Sequence, residues 1–245
     1  CSRDWSSDVC SSDLAGTYYT YITGGSYRGA AIATGQSDSY YQSKGLIALT
    51  GNGLPAQVYL GVPYNSYAYN VALEQVIDAG IIVCQSSGNN GFKIDVSGGL
   101  DYNNYVDIPV LDSNPIYYHR GSSPSDPRSI RVGALDTKTS VTGQDQRAEF
   151  SCAGPGVDIW AAGTYIMSAG CTNPDANTSA QYNNDSSYYL NGSFKEFVDT
   201  GTSQASPQIA GISSLYLQAN PLASIYSRSE EHTSELQSRL HLVCR

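Results

Sequence analysis

The chain has 245 residues, enough for one domain with a substantial core, and carries 13 Lys+Arg against 22 Asp+Glu, a formal net charge of −9. That acidic balance leaves no electrostatic footprint for nucleic acid, and no apolar run approaches the length needed to cross a bilayer. Charged residues make up only 14% while Gly and Tyr are abundant, a composition suited to a secreted or virion-exposed protein with long ordered loops.

The two ends stand apart from the rest. Asp4 to Leu14 and Arg228 to Ser238 resemble the two strands of a common sequencing adapter translated into protein. The chain is therefore divided into an adapter-like stretch over 1–14, a domain over 15–227, and an adapter-like stretch with its tail over 228–245. The ends are excluded from fold reasoning, and the natural sequence is expected to continue beyond both.

Ala15 to Gly53 has no clear hydrophobic period. Ala56 to Val62 reads as a short buried strand, which places Leu60 and Gly61 in it. Val71 to Ala79 has the apolar spacing of a helix of two to three turns, closed by Gly80. Ile81 to Gln85 is β-branched and apolar, a second strand. Strand, helix and strand in this order predict a right-handed parallel crossover. Gly88-Asn89-Asn90-Gly91 then falls at the carboxyl end of the second strand, where open parallel sheets place their sites.

Phe92 to Pro127 is read as mostly loop, with turn signals at Asp101 to Asn104 and Pro124 to Pro127. Ser129 to Ala134 is a further strand. Phe150 to Ala162 carries a turn at Gly154 to Gly156 and a strand at Val157 to Trp160. Thr172 to Asp199 is a polar insertion with Asn-x-Ser/Thr triplets at Asn177, Asn184 and Asn191, read as coincidental. Within 15–227 the cysteines are Cys84, Cys152 and Cys171, and an odd number gives no disulfide framework. Cys84 is expected to pack as a small hydrophobe. A Cys152–Cys171 bridge is left open, and no Cys/His spacing resembles a zinc site.

Gly201-Thr202-Ser203-Gln204-Ala205-Ser206-Pro207 opens a helix. Ala205, Ile209, Ile212, Leu215 and Ala219 follow at steps of three and four, so one face should be buried, and Asn220-Pro221 stops it. Ser203 then lies where free backbone N–H groups and a positive dipole meet, a place that stabilises an oxyanion beside a nucleophilic hydroxyl. A helix-capping Ser or Thr is the common alternative for such a residue.

In their order, these motifs resemble the subtilisin-like serine proteases, the subtilases. Ser87 to Gly91 after an apolar strand resembles the loop of the oxyanion asparagine. Ser129 to Asp136 resembles the strand that follows. Phe150-Ser151, Gly154-Pro155 and Val157 to Gly163 resemble the next element, with Ala162 in place of its proline. Gly201 to Gly211 resembles the nucleophile motif, with Gln204 for its Met and Gln208 where many members have His. The matches run from about Ala56 to Pro221. The resemblance implies an α/β, three-layer fold with a mainly parallel sheet, here truncated at its N-terminal side. It makes 15–227 a partial catalytic domain.

By the resemblance, Ser203 is the nucleophile and Asn89 the side-chain oxyanion donor. Leu60 and Gly61 would belong to a strand that pairs with an extended substrate, with an ordinary core strand as the equal alternative. Ser86, Ser87 and Gly88 would form the opposite wall of the substrate pocket. The implied partner is a peptide or protein. No metal ligand is assigned; the family's calcium is allowed by the resemblance but has no site here. Tyr117 to Pro124 resembles subtilase domains of tailed bacteriophages.

The pattern also departs from the family, which needs an aspartate and then a histidine upstream of the asparagine. The chain has three histidines. His119 follows Asn89, in the wrong order, and reads as a surface or loop-packing residue; His232 and His241 lie in the adapter-like end. Asp38 follows no apolar strand. The acid and base are therefore expected outside this chain, a fragment of an endopeptidase that is inactive as printed. The rival reading is a non-catalytic virion or binding module on the same fold. The geometric expectation is that the Asn89 amide and the Ser203 hydroxyl face one space, each about 3 Å from a point that can hold a reacting atom.

Overall fold

The computed structural model describes residues 17–49, 59–63, 66–108, 115–122, 125–136, 145–169 and 196–220. The boundaries expected at 14/15 and 227/228, the triplets at Asn177, Asn184 and Asn191, and Cys171 lie outside these residues.

The N-terminal part is built from short antiparallel strands. β1 (Thr17–Thr20) and β4 (Ile47–Leu49) flank β5 (Tyr59–Pro63) on its two sides. A second antiparallel sheet runs in the order β3 (Ala30–Ala31), β2 (Gly24–Tyr27), β7 (Tyr105–Asp107), β8 (Ile116–Tyr117). Helix α1 (Asp38–Ser43) begins at Ser37, whose side chain accepts the Tyr40 N–H, an N-cap that satisfies one of the first free donors. Ile22, Ile32, Tyr41, Leu46, Leu60, Val62, Val106, Ile108, Ile116 and Tyr118 close over one another as a core.

Helix α2 (Tyr67–Asp78) starts four residues before the expected Val71, because Tyr67 to Asn70 carry no apolar period. Only Leu73 and Ile77, an i/i+4 pair, are buried on it, and Gly80 closes it at φ +85°. The expected parallel crossover is corrected. Both edges of β5 are occupied by β1 and β4, so none remains for β6 (Cys84–Ser86), which pairs in parallel with β9 (Ile130–Asp136) instead.

The sheet that carries the site centres on β9. β11 (Ile159–Ala162) runs parallel on its other side, and β10 (Gln146–Arg147) pairs antiparallel near its end. The molecule is thus α/β as expected, with parallel pairing among the described residues concentrated in β6, β9 and β11. β12 (Ile166–Ala169) and β13 (Glu196–Asp199) form a separate hairpin pair. Among the described residues no helix is long and apolar enough to cross a membrane.

Helix α3 (Thr202–Ala219) packs on this sheet and is capped at its end by Asn220. Its buried residues are Thr202, Ala205, Ser206, Ile209 and Ser213, whereas Leu215 is 67% exposed. The expected apolar stripe is corrected: the period of three to four holds, but small polar residues fill three of its five buried places. Ser206 is tolerated there because its hydroxyl donates to the Cys84 carbonyl at 3.0 Å. Eighteen residues span about 27 Å, longer than the short strands beneath, so the last turns pass beyond the sheet. Ile209, 1% exposed between helix and sheet, anchors the contact. Ile209→Ala is expected to cost about 2–5 kcal/mol, read as a lowered urea midpoint at unchanged slope.

Cys84 and Cys152 are buried free thiols. Cys84 packs as the expected small hydrophobe, and the Cys152–Cys171 alternative involves Cys171, outside the described residues.

Candidate active site

β6 ends at Ser86, and its chain continues through Ser87 into Gly88, whose φ of +103° a residue with a Cβ rarely adopts. The turn carries Asn89 toward the first turn of α3. That turn begins at Gly201, which offers no side chain to cap the helix. Asn89 supplies the cap from another part of the chain: its Oδ1 accepts the Thr202 N–H at 2.9 Å and the Thr202 hydroxyl at 2.8 Å. Thr202 Oγ1 in turn accepts the Gly88 N–H at 3.2 Å. One threonine thus ties both sides of the loop to the helix.

The consequence is orientational. With Oδ1 committed to Thr202, the Asn89 NH2 group is left as donor, next to Gly201, two residues before Ser203. The Asn89 nitrogen lies 3.2 Å from the point a Cβ would take on Gly201. Among the described residues neither this nitrogen nor the Ser203 hydroxyl has a hydrogen-bond partner. Ser203 is half-buried at the second position of α3, where backbone N–H groups have no intrahelical acceptor. Pro207 has no N–H, so the Ser203 carbonyl also lacks its usual partner one turn on. Gln204 and Gln208 brace the turn: Gln204 donates to Asp199 at 2.8 Å and Gln208 to the Ala162 carbonyl at 2.7 Å.

Thr202, 0% exposed, is a residue that motif reading passed over. Its signal was a hydroxyl between a glycine and the serine at a helix start that faces a glycine-asparagine turn. Thr202→Val keeps the shape and the backbone bond to Asn89 but strands the Gly88 N–H and removes the hydroxyl bond to Asn89. It is expected to lower stability by about 1–3 kcal/mol, and Thr202→Ser to recover most of it, as measured by thermal unfolding.

The remaining expected residues fall differently. Leu60 and Gly61 sit in β5 with neighbours hydrogen-bonded on both sides, so the substrate-pairing expectation is corrected to the core-strand alternative. Ser86 and Ser87 are each 6% exposed. The Ser87 hydroxyl donates inward to the Cys152 carbonyl at 3.3 Å. A pocket wall made of their side chains is therefore not formed, and Gly88 is the partly open residue of the three. Burial pushes the Cys152 thiol up, which favours its protonated form beneath Gly88. His119 is 2% exposed, loop-packing rather than surface, and its ring bonds to Asn104, not to Ser203. Among the described residues no group of three or more His, Cys, Asp or Glu is placed to hold a metal ion.

The sequence model of the Subtilase family matches residues 56–239. Serine protease AprX of Bacillus subtilis (strain 168) is 32% identical over 158 residues, covering 61% of this chain and 29% of its own length. Subtilisin of Bacillus pumilus is 28% identical over 197 residues, covering 79% of this chain and 54% of its own. The chain thus spans about a third to a half of the length of these curated relatives. Among solved structures, fervidolysin from Fervidobacterium pennivorans, a keratinolytic enzyme related to subtilisin, aligns at 25% identity and a TM-score of 0.47, over 69% of this chain and 21% of its own.

Proposed function

The chain belongs to the subtilase family, and from that premise we propose that it is the nucleophile-bearing part of a serine endopeptidase. Ser203 Oγ attacks the peptide carbonyl carbon, and the C=O electron pair moves onto oxygen. The Asn89 amide N–H and the Ser203 backbone N–H receive that charge. Collapse expels the amine, which takes a proton, and leaves an acyl group on Ser203 that water then removes. The observation that supports this reading is the Asn89 oxygen held by Thr202, the residue before Ser203, which leaves its NH2 as a free donor at the start of α3 beside Gly201.

The general base that takes the Ser203 proton, and the acid that orients it, are a histidine and an aspartate outside this chain. His119 is engaged with Asn104, which supports placing them elsewhere. The substrate is a peptide or protein, met outside the cell or on a virion surface, in keeping with the acidic, Tyr- and Gly-rich composition. The test is casein hydrolysis by the protein extended upstream until an aspartate and a His-Gly-Thr segment are included. Turnover abolished by Ser203→Ala supports the proposal. An upstream sequence lacking both motifs, with no turnover, favours instead a binding module on the same fold.

A further inference from the structure

Asn104, 1% exposed, has an amide whose orientation is fixed by its neighbours. Its Oδ1 accepts the Arg28 backbone N–H at 2.6 Å, and its Nδ2 donates to Asp101 Oδ1 at 3.0 Å. Turned over, it would set oxygen against the Asp101 carboxylate and N–H against the Arg28 N–H. The second Nδ2 hydrogen therefore points at His119 Nδ1, 2.9 Å away. Only an unprotonated Nδ1 can accept it, so the network assigns His119 as neutral, with its proton on Nε2.

We propose that His119 is a proton-operated latch: a second proton on its ring sets N–H against N–H, turns Asn104, and releases the tie that clamps the turn after β2 onto the 93–104 loop. That tie is the Arg28 backbone N–H on Asn104 Oδ1, at 2.6 Å, beside the ion pair of the Arg28 guanidinium with the Asp101 carboxylate at 2.6 and 3.0 Å. His119 and Asp101 are each 2% exposed, so water is not at hand to replace the lost bonds. Nε2 has no partner among the described residues and faces Gly45, where a Cβ would lie only 2.7 Å from it. The turn after α1 thus closes over the ring at Nε2, and the acceptor that does face the imidazole, the Asp101 backbone carbonyl, already takes the Asn104 N–H at 3.1 Å.

The surrounding charges do not rescue the cation. Asp101 and Asp95 would attract it, but Arg28 and Lys93 already pair with Asp101, and Lys93 lies 3.6 Å from Asp95. From the α1 side, the Lys44 ammonium sits over the Tyr27 and Tyr40 rings, and the Tyr118 hydroxyl donates to the Lys44 carbonyl. The Tyr118 ring itself lies 4.3 Å from the imidazole, and Arg120 is turned away onto Tyr102 and Tyr117. Burial accordingly holds His119 below the ordinary histidine range. A depressed folded value means that the unfolded chain takes the proton first. Stability is then full above about pH 6.5 and is lost as pH falls below it.

The test uses the 245-residue chain with His232→Gln and His241→Gln, which leaves His119 as the lone imidazole. Between pH 7.5 and 5.5 its Tm is expected to fall by about 2–4 °C. Adding His119→Gln, whose Oε1 accepts from Asn104 without titrating, should flatten that fall. Nitrogen-15 NMR should show the Nε2–H tautomer and no titration near pH 6.5. An Nδ1–H tautomer, ordinary titration near 6.5, or an undiminished pH slope in His119→Gln overturns the latch. If His119→Gln does not fold, the NMR titration of the parent chain decides.

Discussion

Expressed alone, the 245-residue chain is expected to leave casein uncut and a serine-directed fluorophosphonate probe unreacted. A serine hydroxyl without an adjacent base stays protonated and weakly nucleophilic. His119, buried against Asn104, does not supply that base, and His232 and His241 lie outside the described residues. The upstream-extended protein should react with both reagents, and Ser203→Ala should then remove turnover by about a millionfold. That magnitude was established on subtilisin and is carried here by family membership. Ser203-dependent hydrolysis by the short chain would mean that a base is present within it, and His119 would be the first residue to replace.

In the extended protein, Asn89→Ala should lower kcat about a hundred- to a thousandfold while KM changes little. This too is the size known for the oxyanion asparagine of subtilisin. The split matters because Asn89 has a second role. Its Oδ1 caps α3 through Thr202, so alanine also costs stability. Asn89→Asp separates the two. It keeps an acceptor for Thr202 but replaces the donor with a charge that repels the oxyanion, so it should fold at least as well as Asn89→Ala and be no more active. A loss confined to KM would place Asn89 in substrate binding instead.

What the sequence revealed follows the range over which its signals act. The turn from β6 into Asn89, the strand β9 and the start of α3 were legible because each is a contiguous run with its own chemistry. The C-terminal turns of α3 were misread because Leu215 keeps the apolar period after the sheet beneath has ended. Residues 17–49 gave no period because their strands have two to four residues and their partners are distant. β2, for example, pairs Gly24 with Asp107 and Ser26 with Tyr105. The segment 92–127, read as mostly loop, contributes β7 and β8 to the same sheet. The crossover failed for a related reason. A strand-helix-strand run fixes the elements but not which edges are free, and β1 and β4 had taken both edges of β5.

The central claim is that Asn89 and Ser203 address one reacting carbonyl. The most direct measurement is a crystal structure of the extended protein inactivated by a peptide chloromethyl ketone or boronate, so that a tetrahedral adduct is held on the serine. The account predicts the adduct on Ser203 Oγ, with its former carbonyl oxygen, or the boronate oxygen in its place, about 2.7–3.1 Å from both Asn89 Nδ2 and the Ser203 backbone nitrogen. Asn89 Oδ1 should still be on Thr202. An adduct on another residue, or on Ser203 with that oxygen turned away from Asn89, would contradict it.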